Sequence, residues 1–574
     1  METVNSLHRR WYERFRAPWV IIMVVSACIH VVSKNYEVGP DKVYKSIGEI
    51  PWASVVAGDS VLIFYRDLLY KEKWVLCLKG TKERPVVISG VPDSLNRLPV
   101  IDGIDAMTSS QFNFWNEERG LIKIGGANSP PDLMPEYIIL QNLEIRNARQ
   151  RHTFTGRYGI TNYFKNAAAL FIEKGEHLIV RNCVFRGCGN GLFAASQSKD
   201  VLVEACYYYD NGAEGSIYEH NNYTESQGIV FQYNRFGPLR NNCDGNNLKD
   251  RSCGCVIRYN WIEGGNRQLD LVHSEYDYIY SSASYSTTFV YGNILIEPEG
   301  AGNSQICHYG GDNPDKIFCY RKGTLHFYHN TVVSTRSGNT TIMRLSTDDE
   351  KSDIRNNLLF VAAAGGSMAI IDSAGTADLR HNWLKTGWKK SHTDPQASVN
   401  TIEGNIAGDE PGFNAAAGQD FSLKQGSPCI SGGGALAQQC LPAHAAVMEY
   451  VKHRMQAVRA VDAVPDIGAF EYIPGIFNKN SKPRLPNVKN RIGAYPNPFK
   501  TLITLNIPQK YQEVAEVFIY DSSGKIVRTF MQASNSMIIW DGRGNGMNIL
   551  NDGIYYCLIR VQGSLFEGKM VFIK

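Results

Sequence analysis

Arg258-Tyr-Asn260-Trp-Ile262 repeats, in outline, the segment Gln232-Tyr-Asn234-Arg-Phe236 before it. The same phrase returns as Tyr291-Gly-Asn293-Ile-Leu295, Tyr328-His-Asn330-Thr-Val332, Arg355-Asn-Asn357-Leu-Leu359 and Arg380-His-Asn382-Trp-Leu384. Upstream it reads Leu140-Gln-Asn142-Leu143 and Val180-Arg-Asn182-Cys-Val184, and a degenerate copy, Val203-Glu-Ala205-Cys-Tyr207, fills the place between Asn182 and Asn234. Each copy is a strand of β-branched or aromatic residues leading into Asn-x-apolar. Most intervals lie in the twenties; longer ones, such as Asn260 to Asn293 and Asn293 to Asn330, read as loop insertions on one side. A period of that length made only of short strands indicates a solenoid. The dense leucines and helices of a leucine-rich repeat are missing, as are the longer repeats and hairpin turns of a propeller. The fold class is therefore all-β: a right-handed parallel β-helix, with asparagines at equivalent bends stacking their amides into a ladder.

Outward from the repeats, Asp59–Tyr65, Trp74–Leu78, Pro85–Ser89 and Pro99–Gly103 read as short strands between Gly, Pro and Asp breakers. The solenoid closes at Pro465–Tyr472. The stretch Ala443–Ala463 before it has a helical pattern suited to covering an open end. A Pro/Asn/Lys-rich linker without an acidic residue follows. The tail then alternates strands (around Thr501–Ile507, Val514–Tyr520, Met537–Trp540 and Ile554–Val561) with turns at Asp521–Gly524 and Asp541–Gly544, the pattern of a small Ig-like β-sandwich. Four segments result: 1–33 a signal peptide, 34–472 the β-helix, 473–491 a linker and 492–574 the sandwich.

At 574 residues the chain exceeds one ordinary core, and 43% hydrophobic with 20% charged residues is the composition of a folded protein. A net charge of +3 gives no ground for a nucleic-acid partner, and the chain is read as a monomer. Arg9, Arg10, Arg14 and Arg16 precede an apolar run from Ala17 to Ala27, which is the basic region and short core of a secretory signal. Val25-Ser26-Ala27-Cys28 also has the form of a lipoprotein box, so the exported chain is secreted or held at the cell surface. Cys28 set aside, the remaining cysteines meet an oxidising route. Cys429 with Cys440 and Cys307 with Cys319 are the nearest loop staples, and buried thiols are the alternative. Cys253-Gly-Cys255 is too tight for a zinc pair.

The charged stretch Asp244–Ser252 lies inside the repeat. Aligning Leu192, Ile217, Leu248 and Leu269 as inward residues of successive rungs gives an outward column of Phe193, Tyr218, Lys249 and Asp270. Two residues further on come Ala195, His220, Arg251 and Val272. Arg267 joins from the turn Gly264–Arg267, while Glu219, Asn221, Glu225, Asp244 and Asn247 lie in adjacent turns, with His308 further along the chain. Convergent titratable groups on neighbouring rungs mark a functional cleft. Cations there suit proton abstraction beside a carboxylate: Lys249 as base, its ammonium disfavoured by Arg251 and Arg267, with His220 as an acid. Tyr218, Glu219, Asn221, Asn247 and His308 would contact substrate. Calcium would take Asp244, Asn242 and Asp270 as oxygen ligands.

Two resemblances add to this. The tail is similar to the C-terminal sorting domain of type IX-secreted proteins in Tyr495-Pro-Asn-Pro-Phe499, Ile519-Tyr-Asp521 with Gly524, Trp540-Asp-Gly542, Gly553-Ile-Tyr-Tyr556 and Lys569–Lys574. That resemblance implies the type IX machinery as a partner. From Tyr36 to Tyr472 the chain resembles the right-handed β-helix polysaccharide lyases, in which a catalytic Lys follows an Asn-rich turn as in Gly245-Asn-Asn-Leu-Lys249, and an Arg on the next rung acts with it as Arg267 would. The resemblance implies β-elimination on an acidic, uronate-containing polysaccharide. The paired aspartates that one such family uses for calcium, and the glutamate pair preceding the Lys in another, are missing. So are the Gly-His-Gly and Arg-Ile-Lys motifs of β-helix polygalacturonases. A glycoside hydrolase using Asp244, Asp270 or Glu219, and a non-catalytic glycan-binding adhesin, stay open.

Overall fold

The computed structural model describes residues 33–460 and 464–473, and in the tail 492–506, 514–521, 526–533, 537–544, 549–561 and 564–573. The expected signal segment up to residue 32, Cys28 and the linker beyond Ile473 lie outside them. Residues Asn35 to Gly408 coil as a parallel β-helix. One face is an eleven-stranded sheet whose strands follow in chain order, from Val100–Asp102 through Arg235–Phe236 and Trp261–Glu263 to Ile406–Gly408. A second stack includes Gln227–Gln232, Cys253–Arg258, Thr287–Tyr291, Gly323–Tyr328 and Glu350–Arg355. A third carries Gly120–Ile124, Asn222–Thr224, Leu248–Asp250, Leu269–Leu271, Gln305–Tyr309 and Thr340–Leu345. Strands this short and β-branched bury one face, and the inward apolar residues of all three stacks merge into one continuous core.

The asparagine ladder is present. The backbone N–H of Asn234 donates to Asn260 Oδ1 at 2.9 Å, and Asn234 Nδ2 donates to the same atom at 3.0 Å. The pattern continues through Asn293, Asn330, Asn357 and Asn382 to Asn405. Strand register corrects the phasing of the earlier copies. Glu144, Val184, Tyr207 and Arg235 are successive partners, so the ladder positions upstream belong to Leu143, Cys183 and Cys206, not to Asn142, Asn182 and Ala205. Those three occupy the preceding bend residue in the left-handed region, at φ 60°, 51° and 54°. Asparagine suits both places for different reasons, as an amide that stacks and as a residue that tolerates positive φ.

The stretch read as a helix, Ala443–Ala463, instead holds an antiparallel hairpin, Met448–Val451 with Met455–Val458. It lies along the side of the coil. The Val447 N–H donates to the Tyr259 hydroxyl at 3.0 Å, and Leu436, Ala446 and Met448 pack on Tyr233, Tyr259, Tyr291 and Tyr328. The described cysteines are free thiols. Cys429 and Cys440 belong to separate apolar clusters, which removes the first staple, and Cys307 faces the solenoid core while Cys319 sits in the short turn Pro314–Cys319.

The tail is a two-sheet sandwich. Gly493–Tyr495, Ile503–Asn506 and Met537–Trp540 form one antiparallel sheet; Val514–Asp521, Ile526–Ala533, Gly553–Val561 and Ser564–Phe572 form the other. Trp540, Phe499, Ile519, Ile559 and Phe572 fill the space between them.

Candidate active site

The third stack decides what the site contains. Leu192 pairs in register with Asn222, Asn222 with Leu248, and Leu248 with Leu269. The outward column is therefore Phe193, Tyr223, Lys249, Asp270, His308 and Arg344. Ile217, expected among the inward residues, and Tyr218, expected in this column, are both more than half exposed instead. The Tyr218 ring packs under Lys165 Nζ at 3.9 Å, and Tyr223 takes its position. The inward residue of that rung is polar Asn222, fully buried and bonded to Thr224 and the Lys249 carbonyl, so an apolar pattern could not find it.

Local sequence explains the geometry of the rung. Gly245 lets the turn close against the Glu219 carbonyl, which any side chain would strike, and Gly265, at φ 87°, passes against Asn247. The strand Leu248–Asp250 then projects Lys249 outward and Asp250 inward. Inside, Asp250 meets Arg321 Nη2 at 2.9 Å with both side chains fully buried, and its carboxylate also accepts bonds from Thr224 and Ser252.

Outside, Lys249 Nζ lies 2.6 Å from Asp270 Oδ2 and 2.8 Å from Asp312 Oδ2. Arg251 Nη2 is 3.1 Å from the same Asp312 oxygen, and Arg251 Nε donates to the Tyr223 hydroxyl at 3.0 Å. Asp270 also accepts from Asn246 Nδ2 at 2.8 Å and contacts His308 Nδ1 at 2.9 Å. Arg267 bonds Gln305 Oε1 at 2.7 Å and comes within 3.8 Å of Asp270. On the neighbouring rung Glu225 stands beside Arg251 and accepts from Ser274 Oγ at 2.6 Å.

These contacts set the charge states. Burial works to lower the Lys249 pKa, but Asp270 and Asp312 outweigh it and hold the ammonium above its ordinary range. The expected depression of Lys249 by neighbouring arginines is thus overturned by two carboxylates in direct contact. Burial also opposes charge on Asp270, yet Lys249, His308 and Arg267 keep it ionised well below the usual carboxylate range. Asp312 is held low in the same way by Lys249 and Arg251, whereas burial pushes Glu225 up against the smaller pull of Ser274 and Arg251. His220 is pushed down to about 3 by burial and then by Lys249. It is neutral, its Nδ1 accepts the Asn246 N–H at 2.9 Å, and it positions the turn instead of carrying an acidic proton.

Arg251, Arg267 and His308 join Lys249 in the cluster, while other expected site residues do not. Asn221 and Asn247 are fully buried in a second amide stack, Asn221 Nδ2 donating to Asn247 Oδ1 at 2.8 Å, so neither faces a ligand. Glu219 is buried against Ser216 and the Asn166 N–H. Asp244 and Asn242 are exposed turn residues, whereas Asp270 is enclosed by cations; the three oxygen donors read as a calcium set do not fit one ion. Among the described residues no group of three His, Cys, Asp or Glu is arranged to hold a metal. Tyr223, Asp312, Arg344 and Gln305 were not picked out in the sequence. Asp312 lies in the insertion between Asn293 and Asn330, whose length was the one signal of its presence.

Residues 493–574 match the model of the secretion system C-terminal sorting domain. The tail is a type IX export address. It marks the chain for secretion or surface display. No curated protein matches the chain. Among solved structures, the chain is similar to PorZ, a type IX secretion surface component of Porphyromonas gingivalis, at 19% identity over 14% of this chain and 11% of that one, with a TM-score of 0.13. It therefore spans only a small part of PorZ. It is also similar to the DFA-IIIase of Arthrobacter chlorophenolicus A6, at 11% identity over 61% and 83% of the two chains and a TM-score of 0.33. The lacto-N-biosidase of Eubacterium ramulus gives 12% identity over 66% and 68%, with a TM-score of 0.31.

Proposed function

We propose that this exported β-helix cleaves the glycosidic bonds of a polysaccharide by general acid–base chemistry at the Lys249–Arg251 rung. One observation carries the reading: Asp312, 3.1 Å from the Arg251 guanidinium, is held low, while Glu225, next to Arg251 in strand register and bonded to Ser274 Oγ, is pushed up. Neither is sealed off, since Glu225 is half-buried and the Asp312 side chain is 31% exposed. Carboxyls whose surroundings drive their pKa values apart divide into an acid and a base. Glu225, the carboxyl pushed upward, is the one suited to give a proton to the departing sugar oxygen. Asp312, ionised between Lys249 and Arg251, takes a proton from water or attacks the anomeric carbon. Lys249 acts as the fixed cation that orients Asp312 and Asp270.

β-Elimination on a uronate is the second reading, and Tyr223 favours it. Its hydroxyl accepts from Arg251 Nε at 3.0 Å on the strand beside Lys249, so a tyrosine oxygen and two cations share one face, as proton abstraction beside a carboxylate would require. Lys249 itself, paired with two carboxylates, does not serve as the base.

The test is digestion of a polysaccharide panel with two readouts, reducing ends and the ultraviolet absorbance of unsaturated sugars. The expected result is reducing ends without absorbance, and a loss of about 10²-fold or more in Glu225→Gln and in Asp312→Asn. Absorbance, with full dependence on Tyr223, would transfer the assignment to elimination. Full turnover in both carboxyl variants would end the acid–base reading.

A further inference from the structure

The column that carries Lys249 and Asp270 holds a second chemical set further along. His308 Nδ1 lies 2.9 Å from Asp270 Oδ1, and His308 Nε2 lies 2.9 Å from Ser346 Oγ. Strand register explains the alignment. Asp270 pairs with His308 and His308 with Arg344, so Ser346, two residues beyond Arg344, comes to the same side of the rung. Two glycines bring the backbone up to its oxygen. A side chain at Gly310, φ 131°, would strike Ser346 Oγ, and the Gly311 N–H donates to that atom at 2.9 Å. The Asp270 and His308 side chains are almost fully enclosed, whereas Ser346 is half-buried, so the hydroxyl is the member of the set nearest solvent.

The protonation states follow from the contacts. Asp270 is kept ionised by its neighbours and can only accept, so His308 Nδ1 carries the hydrogen between them. Nε2 is then the lone pair of a neutral imidazole, a state that burial favours by pushing His308 below its ordinary range. Ser346 has one hydroxyl hydrogen and two acceptors at 2.9 Å, this Nε2 and the Gly311 carbonyl. Hydroxyl to imidazole to carboxylate, with two 2.9 Å links, is the arrangement that activates a serine, and it is defined by geometry and role whatever the order in the chain. The acid–base reading of Glu225 and Asp312 uses none of the three.

We propose that Ser346, His308 and Asp270 form a second catalytic centre in the cleft, an esterase that removes acyl groups from the hydroxyls of a bound polysaccharide. Ser346 Oγ adds to the ester carbonyl carbon while its proton passes to His308 Nε2, and the Gly311 N–H is the donor nearest the developing oxyanion. The bond from the carbonyl carbon to the sugar oxygen breaks, the imidazolium returns the proton to that oxygen, and an acyl-Ser346 remains. Water then adds to the acyl carbon, giving its proton to His308. The acyl group leaves as the carboxylic acid, and Ser346 Oγ regains the proton. Asp270 is the positioning residue, holding the imidazole in one tautomer and supporting its charged form. This centre rests on the polysaccharide reading for the identity of the alcohol, and not for the ester chemistry.

The experiment treats the full chain with a fluorophosphonate probe, maps the modified peptide by mass spectrometry, and follows acetate release. The esters are p-nitrophenyl acetate, O-acetylated xylo-oligosaccharides, O-acetylated glucomannan oligosaccharides and chemically acetylated dextran. Phosphonylation is expected on Ser346, with acetate released from at least one acetylated saccharide. Ser346→Ala is expected to lower that release on the order of 10³-fold or more. Asp270 raises the proton affinity of His308 while Arg267 and Arg344 beside it lower it, so Asp270→Asn should slow the reaction and move its acid limb to lower pH. A serine that only pins the Gly310–Gly311 turn would stay unlabelled. An unlabelled Ser346, no acetate from any of the saccharide esters, or undiminished release in Ser346→Ala each overturns the proposal, and an unmoved acid limb removes Asp270 from it. Labelling is read on the wild-type chain, so it decides even where a variant fails to fold. Neither readout requires a glycosidic bond to break: loss of the Glu225 and Asp312 assignment leaves this result standing, and an unlabelled Ser346 leaves that assignment standing.

Discussion

Replacing Arg321 with Met tests whether the charged rung is anchored from inside. The substitution roughly preserves volume and removes the 2.9 Å pairing with Asp250 together with the 2.8 Å bond to the Val272 carbonyl. Asp250 keeps bonds from Thr224 Oγ1 at 2.8 Å and from Ser252 Oγ at 2.7 Å, but loses its cation in a fully buried setting. Breaking one side of a buried pair costs about 3–5 kcal/mol, roughly two to nearly four powers of ten in the folded ratio. Urea unfolding of Arg321→Met measures the loss. The partner fixes the cause: adding Asp250→Asn, which removes the unpaired buried charge, should restore most of the deficit and give a large coupling energy in the double-mutant cycle. A loss below about 1 kcal/mol, or no recovery in the double variant, would refute the reasoning.

Two further outcomes follow from the fold. Asn293→Ala removes the acceptor of the Asn260 N–H and the donor to Asn330 Oδ1 at 3.0 Å, and should cost about 1–3 kcal/mol; an unchanged melting temperature would contradict the ladder's role. Burial raises Glu297 from 4.5 to about 7 against the pull of Gln268 and Arg336. Its contribution to stability is complete below about pH 4.5 and disappears as pH rises through about 7, so Glu297→Gln should flatten the stability profile over that window.

The coil and its tail were readable because their signals repeat. Asn330, Asn357 and Asn382 share one environment and recur at intervals in the twenties, and the sorting-domain residues form a dense set. The period placed Lys249, Arg251 and Asp270 on one face, as the strand register does. Arg267, taken from a turn, and His308, given no rung, lie beside them in the structure. Tyr223 was missed because the inward partner that fixes its rung is the polar Asn222, hydrogen-bonded inside a core where an apolar residue was sought. Asp312 was missed because it arrives on an insertion, and no period reports where a loop folds back. Lys249 was placed well and charged wrongly: its state depends on Asp312, a contact between residues far apart in the chain.

The ladder position changes its occupant along the coil, from Leu143, Cys183 and Cys206 to an unbroken series from Asn234 to Asn405. The two halves should therefore respond differently to temperature. Burial of carbon and sulfur weakens on cooling, while directional amide bonds gain from it. At this one position the early turns are joined by buried carbon and sulfur, and the turns from Asn234 onward by directional amide bonds, so local opening of the two halves should differ in its temperature dependence although they share one apolar core.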